Sequence, residues 1–256
     1  MPPLSRVPQI VFLYWIIKIA STTLGETGAD MFSMTFDIGY ASTILIFLAL
    51  FAVLAVVKIA MKRYDPAVYW LTFTASAVAG TAISDFIDRT LGLGYAAGAL
   101  LLLLALAAVL SLWYAKTRSL SVEKIDTTPA ETYYWVAFLI ANTLGTAAGD
   151  FLADDLQIGF MYSAAIIGAV LALTAFLHYM TNLSAVVLFW IAFVLTRPFG
   201  ATFGDLLTKS VPEGGLALGT VGASLIFTLM LGIALFFEIR RERIASAKRP
   251  PTGTEA

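Results

Sequence analysis

Four aspartates recur along this chain in one setting, and they are the residues with most chemistry to offer. The segments WIIKIASTTLGETGAD (15–30), WLTFTASAVAGTAISD (70–85), WVAFLIANTLGTAAGD (135–150) and WIAFVLTRPFGATFGD (190–205) align without gaps. Each reads W-x9-G-x4-D, ending on Asp30, Asp85, Asp150 or Asp205. At about 100° per helical residue, positions −15, −11, −8, −4 and 0 relative to each aspartate share a stripe. That stripe carries Thr22 and Glu26 in the first copy and Thr81 in the second. It carries Asn142 and Thr146 in the third copy and Arg197 in the fourth. Carboxylates backed by neutral oxygens form a hard-ligand set suited to manganese, magnesium, calcium, sodium or protons. Like charges gathered in low dielectric cannot all stay ionised, so such a cluster takes up protons, binds a cation or pairs with a resident base. Arg197 is the base on the stripe, and an internal salt bridge to one or more aspartates is its expected role.

Other chemistries are poorly supplied. The chain has no cysteine and a single histidine, His178, so thiolate catalysis, disulfides and multi-histidine metal sites are excluded. No phosphate-binding glycine loop, zincin motif, nucleophile motif or cofactor fingerprint appears, so neither an enzyme nor a bound cofactor is expected. Net charge is −1, which offers no basic field for nucleic acid.

These side chains must be positioned by membrane helices. Of 256 residues 59% are hydrophobic and 13% charged, with a mean hydropathy of +0.86. A soluble protein carries roughly 25% charged residues. Crossing a hydrocarbon core takes about 20 helical residues, and such stretches run approximately 9–30, 40–61, 67–87, 95–115, 132–152, 159–180, 184–207 and 216–238. The N-terminal stretch reads as the first of these helices, because Lys18 interrupts it and no cleavage site follows.

Basic residues set the orientation. Lys62, Arg63, Lys116, Arg118 and Lys124 follow the even helices, and Arg240, Arg241, Arg243, Lys248 and Arg249 follow the last. Asp37, Asp88, Asp154, Asp155 and Glu213 follow the odd helices, with only Arg89 and Lys209 as positives. Both termini are therefore expected in the cytoplasm, with acidic loops outside.

The repeat continues past each aspartate. A glycine follows nine residues later in every copy, at Gly39, Gly94, Gly159 and Gly214. Successive copies are offset by 55, 65 and 55 residues, so the two halves match. Approximate repeats are 8–62, 63–117, 128–182 and 183–240, within one transmembrane domain 1–256 that closes on a flexible tail, 241–256. The fold class is all-α: eight transmembrane helices as four tandem parallel two-helix units, with pseudo-symmetry about the membrane normal.

The pattern resembles a family of uncharacterised bacterial integral membrane proteins with four tandem repeats, each of two transmembrane segments and a characteristic tryptophan. The likeness spans about residues 8–240. It implies this architecture and a bacterial inner-membrane address, and it supplies no mechanism.

Several placements follow. The odd helices turn their polar face inward while the apolar even helices face lipid. Gly25, Gly80, Gly145 and Gly200 mark close helix approach. The tryptophans are expected as interfacial anchors, Lys18 as a snorkelling cation and His178 at an interface. Pro198 is expected to kink the seventh helix.

The function expected from these residues is transport of a small cation, a divalent metal such as manganese being preferred, with proton coupling. Glu26, Asp30, Asp85, Asp150 and Asp205 would bind it, Thr22, Thr81, Asn142 and Thr146 would add neutral oxygens, and Arg197 would modulate charge. The alternatives are a proton-coupled carrier of a small organic solute, a cation channel, or a non-transporting structural or partner-binding protein. The partners implied are the lipid bilayer and a small cation or proton; an oligomeric state is not implied.

Overall fold

The computed structural model describes residues 6–120 and 125–247. Lys124, Lys248 and Arg249, used above for orientation, lie outside the described residues, as does the side chain of Trp190. The α-helices are α1 (Phe12–Asp30), α2 (Gly39–Met61), α3 (Pro66–Asp85) and α4 (Tyr95–Thr117), then α5 (Thr128–Asp150), α6 (Phe160–Met180), α7 (Ala185–Thr208) and α8 (Thr220–Ala247). No strand is present among the described residues. Local signals set the starts: Asp65 accepts a hydrogen bond from the Val68 amide ahead of α3, and Thr127 accepts one from the Ala130 amide ahead of α5. α8 runs past Arg241, so the segment read as a tail begins as helix.

Seven of these helices are long and apolar enough to cross a membrane. α1 is the exception, because Lys18, Ser21, Thr22, Thr23, Glu26, Thr27 and Asp30 lie along it. All seven are buried, since α1 packs against α3, α7 and α8. A helix screened from lipid by its neighbours need not be apolar.

The four odd helices form a closed ring in which α1 packs on α3, α3 on α5, α5 on α7 and α7 on α1. Each even helix covers the odd helix of the following copy: α2 on α3, α4 on α5, α6 on α7, and α8 back on α1. The even helices are mostly exposed, as befits a lipid-facing wall, and the odd helices form the interior.

The glycines that recur in each copy close the ring. A Cβ added at Gly25 would lie 2.6 Å from Ala77 Cβ, one at Gly80 would lie 3.0 Å from Asn142 Cβ, and one at Gly200 would lie 2.7 Å from Thr22 Cβ. At Gly145 it would collide with the Arg197 side chain. In all four cases the partner is position −8 of the next copy. Gly39, Gly94, Gly159 and Gly214 have another reason: each has a φ between 74° and 85° and no neighbour near an added Cβ. There the left-handed backbone itself calls for glycine. Just past Asp30, Asp85 and Asp150 the helix widens into a π-helical turn, at Met31–Thr35, Phe86–Thr90 and Phe151–Asp155.

Candidate functional site: a stacked polar and aromatic axis

The axis-facing residues recur at four-residue intervals, on the i±4 ridge of each odd helix. The register is therefore 0, −4, −8, −12 and −16. This corrects the part of the expected stripe nearer the tryptophans: Ile19, Thr74 and Leu139 at −11 are only half-buried, and Val194 is 61% exposed. A straight 100° wheel ignores the tilt that keeps the i±4 row against its neighbours.

The aspartates form the first layer, and all four are buried. They do not converge on one point. Lys209 Nζ lies 2.9 Å from Asp30 Oδ2 and 3.2 Å from Asp205 Oδ1. Arg89 lies 3.4 Å from Asp85 Oδ1 and 3.6 Å from Asp150 Oδ2. The result is two aspartate pairs, each bridged by a cation four residues beyond its own aspartate. Copies four and one share Lys209, and copies two and three share Arg89. The pseudo-symmetry of this layer is twofold, matching the 55, 65, 55 offsets. Both oxygens of Asp85, Asp150 and Asp205 lack a hydrogen bond among the described residues.

The next layer holds Glu26, Thr81 and Thr146 with the Arg197 guanidinium, which rises into it from below. Arg197 Nη2 donates to Thr81 Oγ1 at 2.5 Å and Thr146 Oγ1 at 2.6 Å. Nη1 lies 3.4 Å from Glu26 Oε2. The two threonines donate in turn to Glu26 Oε2, at 3.1 and 3.3 Å. One arginine thus ties all four odd helices together. Its expected partners are corrected: Glu26 takes the ion pair, because the aspartates lie a turn further along the axis.

Thr22 and Asn142 use their donors within the ring. The Thr22 hydroxyl donates to the carbonyls of Ile19 and Thr196, and Asn142 donates to Ser76 Oγ at 2.8 Å. Among the described residues Glu26 and the four aspartates are not drawn into one cluster, and no group of three or more metal-ligating side chains forms.

Below Arg197 the axis is aromatic. Phe73 packs on Phe138 at 5.2 Å between ring centroids, and Phe138 on Phe193 at 5.3 Å. Lys18 occupies the fourth place of that layer. It is 2% exposed, and its ammonium donates to the Phe193 carbonyl at 2.8 Å above the Phe193 ring. The expected snorkelling is thereby corrected: a carbonyl and a ring face inside the bundle take the place of the interface. One layer further, Tyr14, Tyr69 and Tyr134 are buried, and the hydroxyls of Tyr69 and Tyr134 lie 2.5 Å apart.

Trp15, Trp70 and Trp135 belong to this layer. Tyr14 meets Trp70, Tyr69 meets Trp135, and Phe189 meets Trp15, each ring on the tryptophan of the next copy. Trp70 and Trp135 are buried, so they are packing residues of the ring rather than lipid anchors. His178 is exposed at the end of α6, as an interfacial residue would be. α7 continues as a helix through Pro198.

A second charged centre, with no signature in the repeat pattern, lies at the tryptophan end. Glu131 is buried between Arg6 at 2.9 Å and Lys58 at 2.8 Å, where the N-terminal segment crosses the tryptophan end. The sequence pattern places Arg89 and Lys209 among the loop charges. Their +4 spacing from Asp85 and Asp205, one helical turn, is the signal that they share a face with them.

Four consecutive segments, 13–64, 68–119, 133–184 and 188–243, match the family described as Repeat of Unknown Function (DUF347). The chain belongs to this family. Its four matches coincide with the four two-helix units, each running from an axial odd helix into its covering even helix. No curated protein and no solved structure matches the chain.

Proposed function

We propose that this protein transports a small cation through the aspartate end of its axis, in exchange for or together with protons. The carrying observation is a charge imbalance. Five buried carboxylates, those of Glu26, Asp30, Asp85, Asp150 and Asp205, face three cations, Arg89, Arg197 and Lys209. An unpaired buried carboxylate costs several kcal/mol unless a proton or a cation compensates it. Two further positive charges would balance the group.

The bridges suggest how. Lys209 places an ammonium between Asp30 and Asp205, and Arg89 a guanidinium between Asp85 and Asp150. Each is a tethered single charge held by two carboxylates, a stand-in for a mobile monovalent cation. Sodium, potassium or a small ammonium therefore suits the geometry better than manganese. A fixed open channel is disfavoured, since Arg197, Phe73, Phe138 and the Tyr69–Tyr134 pair fill the axis. The satisfied Arg197–Glu26–Thr81–Thr146 network favours a second reading, a static structural core without flux.

Uptake into proteoliposomes separates the two. Sodium, potassium and manganese are offered with and without a pH gradient, to wild type and to Asp150→Asn shown to be folded. Saturable, gradient-dependent flux in wild type, reduced at least about tenfold in the variant, supports transport and names the ion. No flux for any ion leaves the static core as the better account.

The reading includes a bacterial inner membrane with both termini cytoplasmic. Gln9 and Arg241 are hydrogen bonded, so both described ends lie together. Lys62, Arg63, Lys116, Arg118, Arg240 and Arg243 share that end, whereas Arg89 and Lys209 opposite are turned onto aspartates. Because the chain has no cysteine, Arg118→Cys and Asp37→Cys can be labelled singly in whole cells. An impermeant maleimide should reach only Asp37→Cys; labelling of Arg118→Cys alone reverses the topology.

A further inference from the structure

A cavity of about 290 Å³ lies between α4, α5 and α7, away from the aspartate layer. Leu106 and Leu110 of α4, Leu144 of α5 and Val194 of α7 line it. Val194 is 61% exposed on the lipid-facing surface, so the cavity opens sideways. Its walls are almost wholly apolar, and its polar groups are mainly donors. Lys18 lines it, buried, with a carbonyl and a ring face but no carboxylate in ion-pair range among the described residues. Arg197 lines it too, and its Nε has no acceptor among the described residues. Trp113 is a third wall residue, buried, with an Nε1 that also lacks an acceptor among them. Asn142 spends its amide on Ser76.

Arg197 is neutralised by Glu26, whereas Lys18 has no carboxylate partner among the described residues, so the cavity offers one amine that a bound acid can protonate and pair with. Unsatisfied buried donors and an unpaired buried cation are each costly. The matching groove one sector on, between α6, α7 and α1, is an internal comparison. It has His178 where Trp113 stands, and no lysine or arginine lines it. The basic side chains are therefore particular to the α4–α5–α7 cavity and not a consequence of the repeat.

We propose that this cavity binds a hydrophobic monocarboxylate entering from the bilayer, its carboxylate taken by Lys18, Arg197 Nε and Trp113 Nε1. Its apolar body lies against Leu106, Leu110 and Phe138. At about 30 Å³ per water-sized group the space suits on the order of ten non-hydrogen atoms, the size of octanoate. The proposal does not rest on the transport reading, which concerns the other end of the axis.

Tryptophan fluorescence of the full-length protein in nanodiscs of neutral lipid tests it, because Trp113 lines the cavity. Bromine-tagged octanoate should quench saturably and be displaced by plain octanoate. Bromine-tagged octanol should bind at least about tenfold more weakly, the discrimination that one charge-assisted contact supplies. Trp113→Phe should remove the quenched component. Lys18→Met should lower octanoate affinity to the level of octanol. Ala141→Phe, which fills the cavity and leaves the cation in place, should abolish binding of both. Equal affinity of wild type for octanoate and octanol overturns the proposal, as does undiminished octanoate binding by Ala141→Phe. If Lys18→Met fails to fold, these two comparisons still decide it.

Discussion

Gly200 of α7 lies against Thr22 of α1 so closely that a Cβ at position 200 would be 2.7 Å from Thr22 Cβ. This contact joins the last copy to the first, and it repeats the contact that Gly25 makes with Ala77 between the first and second. Four tandem units thus close into a ring through one kind of close approach. In lipid, where apolar burial gives helices little reason to associate, small residues at the crossing let backbones pack directly.

Gly25→Ala and Gly200→Ala should each lower thermal stability by about 1–3 kcal/mol, the usual cost of overpacking. Both clashes involve backbone atoms of the facing helix, which cannot swing aside. Gly232→Ala in α8 is the control, since nothing lies near its added Cβ and alanine is the better helix former. Thermal unfolding followed by size-exclusion recovery from detergent compares the three. Equal recoveries would contradict the ring-closing role of the glycines.

Much of this ring was legible in the sequence, because W-x9-G-x4-D picks out the four odd helices and lipid forces polar faces inward. The misplaced residues share a physical cause. Lys18 and the tryptophans are amphipathic side chains whose usual place is the membrane interface, yet here a ring of neighbouring odd helices gives them carbonyls and aromatic faces indoors. Arg89 and Lys209 look like topology signals in a loop, and only the closed ring shows that each reaches an aspartate of another copy. The lateral cavity needs residues from α1, α4, α5 and α7 together, a combination no single helix pattern contains.

Arg197→Met should destabilise the protein by about 3–5 kcal/mol, because it leaves Glu26 buried without its cation. Adding Glu26→Gln to that variant should recover much of the loss, since a neutral amide can keep contacts with Thr81 and Thr146. A double-mutant cycle on thermal stability measures the coupling. Simple additivity of the two substitutions would mean that the 3.4 Å pair contributes nothing specific.

The twofold pairing of the aspartates predicts which substitutions rescue which. Lys209→Met should be relieved by Asp30→Asn or Asp205→Asn, and not by Asp85→Asn or Asp150→Asn. Arg89→Met should show the reverse pattern. Coupling within a pair should exceed coupling across pairs by at least about 1 kcal/mol, as expected of groups in direct contact. Rescue without regard to pair would indicate a single four-carboxylate site instead.

Lys209 lies just beyond the end of α7, and its pKa makes a prediction about pH. Burial alone would lower it, but Asp205 and Asp30, the latter also a hydrogen-bond partner, raise it above that of an ordinary lysine. A base with a raised folded-state pKa contributes stability that is complete below its unfolded value, about 10.4, and is lost only as pH rises through the folded value. The stability difference between wild type and Lys209→Met should therefore not shrink from about pH 7 to pH 9, well under that window. Thermal unfolding of both proteins across this range checks it. A difference that shrinks steadily toward alkaline pH would mean that Lys209 loses its proton in the folded protein, and that the aspartates do not hold it as a fixed cation.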